Sequence, residues 1–164
     1  MKKIVVISDT HIPTIASALP PRIMEMLKDC DLCIHAGDYV DKKVIDTINT
    51  YTKLEGVCGN MDSEEVKNML PEKKIIKIDK VAIGITHGSG SYFNILERIK
   101  KQFSSSKIDI CIFGHTHKPL NKKEGKIIFF NPGSPTDRIF APYNSFGIIN
   151  IEGDKIEAEV IKLG

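Results

Sequence analysis

Residues 108–119 read "IDICIFGHTHKP". An isoleucine-rich run stops at Gly114, and two of the chain's five histidines, His115 and His117, follow one residue apart. The run has the length and composition of a buried strand. The two imidazoles carry little information alone, because a solvated loop can hold such a pair without any role. Their meaning depends on whether an apolar run followed by a metal-loving side chain recurs elsewhere.

It recurs four times upstream. "KIVVIS" (3–8) leads into Asp9 and His11, "LCIHAG" (32–37) into Asp38, and the weaker "KLEGVCG" (53–59) into Asn60 and Asp62. "KKIIKIDKVAIGITHG" (73–88) reads as a hairpin turning at Asp79-Lys80, with His87 after its second strand. Gly37, Gly59, Gly88 and Gly114 stand beside these residues and let backbone come close.

Helical patterns separate the runs. "PPRIMEMLKD" (20–29) starts on prolines and puts Ile23, Met26 and Leu27 on one face. "DKKVIDTINT" (41–50) has Asp41 as N-cap and a stripe of Val44, Ile45 and Ile48. "DSEEVKNML" (62–70) reads as a short helix closed by Pro71, and "SYFNILERIKKQF" (91–103) as an amphipathic helix with Phe93, Leu96, Ile99 and Lys100 near one face. After the histidine pair the pattern changes. "NKKEGK" (121–126) reads as an exposed hairpin loop, and "KIIFFNPG", "SFGIINIEG" and "KIEAEVIKL" as strands with no helix between them. Alternating strands and helices followed by strands alone indicate an α/β protein with a second sheet packed on the first.

In open α/β sheets chemistry gathers beyond the carboxyl ends of the strands. Imidazole, carboxylate and amide oxygen together suit divalent ions such as Mn, Fe, Co, Ni or Zn. The donors exceed what one four-coordinate ion needs, so two ions sharing a bridging aspartate, roughly 3.5–4 Å apart, are the more economical reading.

Taken in order, "DTH" (9–11), "GD" (37–38), "GN" (59–60), "THG" (86–88) and "GHTH" (114–117) resemble the calcineurin-like metallophosphoesterase superfamily. The short length and "NPGS" (131–134) resemble its small bacterial and archaeal phosphodiesterase branch. The resemblance covers residues 3 to about 135. It implies a sandwich of two mixed β-sheets flanked by helices in four layers. It also implies that Asp9, His11 and His117 hold one ion and that Asn60, His87 and His115 hold a second. Asp38 bridges them, and Asp38, Asn60 and His87 are the catalytic candidates. An extended "HTH" would point His115 and His117 to the same side, one for each ion, with Thr116 turned away. The implied activity is hydrolysis of a small phosphodiester by metal-activated water, with Mn the favoured ion. The alternative is a non-catalytic interaction scaffold, since the retromer small subunit resembles the same family. One departure stands out: many superfamily members carry histidine after "GN", where this chain has Met61, which cannot donate a useful proton.

The remaining features are plainer. His35 lies inside a strand and reads as a packed residue or a support for the ligands. "NPGS" is turn chemistry, with Ser134 a candidate for lining the cleft, and Arg138 is either a phosphate partner or a solvated loop residue. "CDLC" (30–33) has no second C-x-x-C, so Cys30, Cys33, Cys58 and Cys111 read as free core thiols. The 164 residues suit one domain. With 23 basic against 21 acidic residues, a formal +2, the balance gives no support to a nucleic-acid partner. No apolar run approaches the roughly 20 residues of a membrane span. The four-residue apolar run near the start is too short for a signal core, so a cytoplasmic location is expected, with a homo-oligomer left open.

Overall fold

The structure, a computed structural model, describes residues 1–164. In chain order its first elements are β1 (Lys2–Ile7), α1 (Pro21–Lys28), β2 (Leu32–His35), α2 (Lys42–Tyr51), β3 (Leu54–Gly56) and α3 (Glu64–Met69). β4 (Lys73–Ile78), β5 (Val81–Thr86), α4 (Ile95–Gln102) and β6 (Ile110–Ile112) follow. The chain ends in β7 (Leu120–Glu124), β8 (Ile127–Asn131), β9 (Ser145–Glu152) and β10 (Lys155–Lys162). Local chemistry explains several boundaries. The Asp41 carboxylate accepts from Lys43 N at 3.1 Å and caps α2, and the Ser63 hydroxyl accepts from Val66 N at 3.3 Å and caps α3.

Two mixed five-stranded sheets result, in the orders β10-β9-β1-β2-β3 and β4-β5-β6-β8-β7. β1, β2 and β3 run parallel, as do β5, β6 and β8. Alternation along β1 sends Ile4 and Val6 to one face and Val5 and Ile7 to the other. Ile4, Val6 and Ile34 meet Ile83, Ile85, Ile110 and Phe130 between the sheets. Val5, Ile7 and Cys33 pack against Ile23 and Leu27 of α1 and Val44, Ile45 and Ile48 of α2. Outside the second sheet, Cys111, Phe113 and Phe129 pack on Ile95 and Ile99 of α4. Strands buried on both faces need continuous apolar runs, which is why those runs were legible. Each fully buried isoleucine stabilises the fold by about 2 kcal/mol. The expected four-layer α/β sandwich is the observed one.

Three details differ from the sequence reading. The run of late strands is divided between the sheets: β8 lies in the second, whereas β9 pairs antiparallel with β1, from Lys2 opposite Ile151 to Val6 opposite Gly147, and β10 adds to β9. These last two cover an edge that β1 would otherwise present unpaired. The supposed loop 121–126 is mostly β7, paired with β8 and turning at Gly125, whose φ is +60°. Lys122 and Lys123 project from this edge strand and discourage pairing with another chain. Finally, α4 begins only at Ile95, because Asn94 is left-handed (φ 57°) and interrupts the helix, leaving Phe93 exposed. No helix is long and apolar enough to cross a membrane. All four cysteines are free, three of them buried.

Candidate metal centre

The loops after β1, β2, β3, β5 and β6 meet at one end of the two sheets. Asp9, His11, Asp38, His115 and His117 all have positive φ, between 44° and 72°. The "HTH" segment is therefore not extended. Each left-handed residue reverses the chain just past its strand, at a cost of roughly 1–2 kcal/mol. Bonds between the loops hold these conformations: Asp9 N donates to Gly37 O at 3.0 Å, His11 N to Asp38 O at 3.1 Å, and Gly114 N to His87 O at 3.1 Å. From the "NPGS" turn, Ser134 Oγ donates to Asp9 O at 2.8 Å, and Thr136 Oγ1 donates to Thr10 O at the same distance. Ser134 is fully buried, so it supports the first ligand loop and does not line the cleft. Arg138 is exposed and borders a different cavity, beside Ala16 and Asn144.

Two groups of side chains are placed to hold a metal ion: Asp9, His11 and His117, and Asp9, Asp38 and His87, each with donor atoms within 4.8 Å of one another. Asp9 belongs to both. Its Oδ1 lies 3.3 Å from His117 Nε2 and 3.8 Å from the Nε2 atoms of His11 and His87. Asp38 also reaches across, with Oδ2 3.6 Å from His11 Nε2 and 3.1 Å from His87 Nε2. His115 and Asn60 stand at the rim. The His115 ring lies 5.3 Å from that of His87, and its Nε2 donates to Gly90 O at 2.7 Å. Asn60 is exposed and borders a cavity of about 450 Å³ beside His87.

Asp9 Oδ1, His11 Nε2 and His87 Nε2 are buried without a hydrogen-bond partner and face one another. A buried polar atom left unpaired costs roughly 1–3 kcal/mol, and three aimed at one region make a cradle for a cation. The donor set fits a divalent ion. Other bonds orient the ligands. His87 Nδ1 donates to Ala36 O at 2.8 Å and His117 Nδ1 to Asp137 Oδ2 at 2.5 Å, which leaves both Nε2 atoms facing the carboxylates. Asp62 accepts from Gly59 N, Asp38 N and Val40 N, tying two ligand loops together. His35 Nδ1 accepts from Gly37 N, so its Nε2–H donates to Thr10 Oγ1. Burial pulls its pKa down to about 3, and the ring stays neutral as a support. The role of Asp137 was not readable in the sequence, because a carboxylate 20 residues past His117 in a turn carries no mark of its partner.

Glycine matters most at Gly114. A Cβ there would overlap Ser8 Oγ and lie 2.7 Å from Asp9 Oδ2. We expect Gly114→Ala to destabilise the protein by about 1–3 kcal/mol and to displace Asp9. Thermal melts and bound metal per chain measure both effects, and normal metal content would show that the Asp9 position tolerates the change.

Burial pushes the Asp9 carboxyl up, but His87, His11 and His117 outweigh it and hold the group well below the usual carboxylate range. Burial pulls His87 down, yet Asp9 and Asp38 push it up to about 9; Asp9 and Asp137 do the same for His117. A raised pKa of this size favours a second proton, on Nε2, in each ring at neutral pH when no metal is bound, and an entering cation must displace it. Metal affinity should therefore rise with pH up to about 9, with release of about two protons per chain at pH 7. Calorimetric titration in buffers of different ionisation heat reads the proton count, and zero release would contradict this charge arrangement.

A family model, "Calcineurin-like phosphoesterase superfamily domain", matches residues 1–154. The chain belongs to that superfamily. Among calcineurin-like phosphoesterases, it is similar to a probable metallophosphoesterase of Methanothermobacter thermautotrophicus, at 33% identity over 97% of this chain and 91% of the relative. It is also similar to phosphodiesterase MJ0936 of Methanocaldococcus jannaschii, at 30% identity over 80% of this chain and 82% of the relative. The structure of vacuolar protein sorting 29 from Cryptosporidium parvum superposes with a TM-score of 0.85, at 24% identity, covering 99% of this chain and 92% of that one. That last likeness speaks for the superfamily's fold.

Proposed function

We propose that this phosphoesterase is a dinuclear phosphodiesterase acting on small phosphodiesters. On this reading Asp9, His11 and His117 would hold one divalent ion, Asn60, His87 and His115 would hold the other, and Asp38 would serve both, with Asp9 also within reach of each group. The observation that carries the proposal is the set of buried, unpaired atoms Asp9 Oδ1, His11 Nε2 and His87 Nε2 facing one another. The phosphodiesterase name of the Methanocaldococcus relative supports the reaction class. Two bound ions supply the acidity that activates water and the charge that neutralises phosphoryl oxygens. The protein contributes placement: Asp137 and the Ala36 carbonyl aim His117 and His87, and Asp62 fixes the Asp38 and Asn60 loops relative to each other. No side-chain nucleophile is required.

Chelation should abolish hydrolysis of an aryl phosphodiester. Reloading should restore it with Mn, Ni or Co better than with Mg, because four imidazoles suit transition ions. Full activity in Mg alone after rigorous chelation would count against this ligand set. The interaction-scaffold reading is supported by the likeness of fold to vacuolar protein sorting 29. The convergence of Asp9, His11, Asp38, His87 and His117 supports the enzyme, and negligible turnover at saturating Mn would reverse that preference.

A further inference from the structure

The candidate metal centre is bordered by exposed apolar side chains. Tyr92, Phe93, Ile139 and Phe140 are 45%, 78%, 82% and 65% exposed. Tyr92 and Phe140 sit against candidate ligands from opposite loops. The Tyr92 ring meets that of His115 edge-on at 5.3 Å, and the Phe140 ring meets that of His117 at 6.4 Å.

Both loops are held in place by a charged residue. Arg98 donates from Nε and Nη2 to Ser89 O at 3.0 and 2.8 Å, from Nη1 to Phe93 O at 3.0 Å, and from Nη2 to Ser91 O. Asp137 accepts from Ile139 N at 2.8 Å, Phe140 N at 3.2 Å and Ala141 N at 3.0 Å while holding His117. The same carboxylate thus sets a ligand and an apolar rim at a fixed spacing. Exposed aromatics on pre-ordered loops beside a reactive centre are suited to binding, since little freedom remains to be lost.

We infer that Tyr92 and Phe140 form an aromatic rim that stacks on a flat ring carried by the substrate, so that the preferred phosphodiesters bear a nucleobase or aryl group on the ester that does not leave. This rests on the phosphodiesterase reading above and narrows it. Stacking a base on an aromatic side chain is worth about fivefold to a hundredfold in affinity.

The test compares thymidine 5′-(4-nitrophenyl) phosphate with methyl 4-nitrophenyl phosphate, which share a leaving group and differ in the ring. A parallel arm titrates thymidine 5′-monophosphate and methyl phosphate into the Mn-loaded protein by calorimetry. The wild type should favour the thymidine compound by about tenfold or more in both kcat/KM and Kd. Tyr92→Ala with Phe140→Ala should lose most of that ratio, and Phe140→Leu, which stays apolar but is not flat, should lose part of it. No preference in the wild type, or a ratio unchanged in the variants, overturns the inference and leaves the rim to a protein partner. A binding preference without turnover of either ester supports the rim and rejects the hydrolase reading instead.

Discussion

Asp9→Asn should empty the metal centre. The carboxylate is fully buried, belongs to both ligand groups, and directs its unpaired Oδ1 at three imidazole nitrogens. Its other oxygen is already committed, accepting from Ser8 Oγ at 2.8 Å and His115 N at 3.0 Å. An asparagine must keep its oxygen toward those donors, which turns its NH2 group toward the cations. On the two-ion proposal, bound metal should fall from about two ions per chain to fewer than one, and phosphodiester turnover by ~10³-fold or more. Asp38→Asn should act in the same direction. Asn60→Ala should do less, because it removes one neutral oxygen at an exposed rim. Metal analysis after gel filtration, beside steady-state rates, orders the three. Two ions retained in Asp9→Asn would sink the shared-carboxylate reading.

The second large effect concerns Met61. Its N–H donates to Asp38 Oδ1 at 2.9 Å, so the residue adjoins the centre, and its side chain is 57% exposed and offers no proton. Asp62, the nearest acidic residue in the chain, is buried and accepts three backbone N–H groups, which occupies it as a brace. The rate should therefore depend steeply on the acidity of the leaving alcohol. General acid catalysis is typically worth 10²–10⁴-fold, so Met61→His should speed poor alkyl leaving groups by up to about 10²-fold and aryl ones little. Plotting log kcat/KM against leaving-group pKa for both proteins gives the answer. A shallow wild-type slope would mean that another proton source is present and that Met61 lacks the importance assigned to it.

The parts of this molecule that could be read in advance are those encoded locally. Double-sided burial makes β1, β2, β5 and β6 continuous apolar runs, and the residues just past them announce a metal centre by type. Asp137 could not be found that way, because its pairing with His117 depends on how the turn after β8 folds back. β7 was hidden by its own protection, since lysines that deter edge pairing also make a strand look like a loop. The left-handed ligands were hidden too. Aspartate and histidine adopt positive φ more readily than most residues, yet only the folded loops reveal where they do so. The partner of β1 was the most distant unknown, because β9 comes from the far end of the chain.

That pairing has a consequence for the order of assembly. β1 leads into the first ligands but lies between β2 and β9, and the carbonyl of Asp9 is gripped by Ser134, 125 residues further along the chain. During synthesis the early strands emerge with one edge open and the Asp9 loop unsupported. Contacts of such large sequence separation form slowly, because the chain must first close a long loop. The cation cradle should therefore be completed late, after β9 has docked. Metal would be captured by a nearly finished fold and would not template its early stages, so refolding rates should be insensitive to added Mn while final thermal stability increases with it.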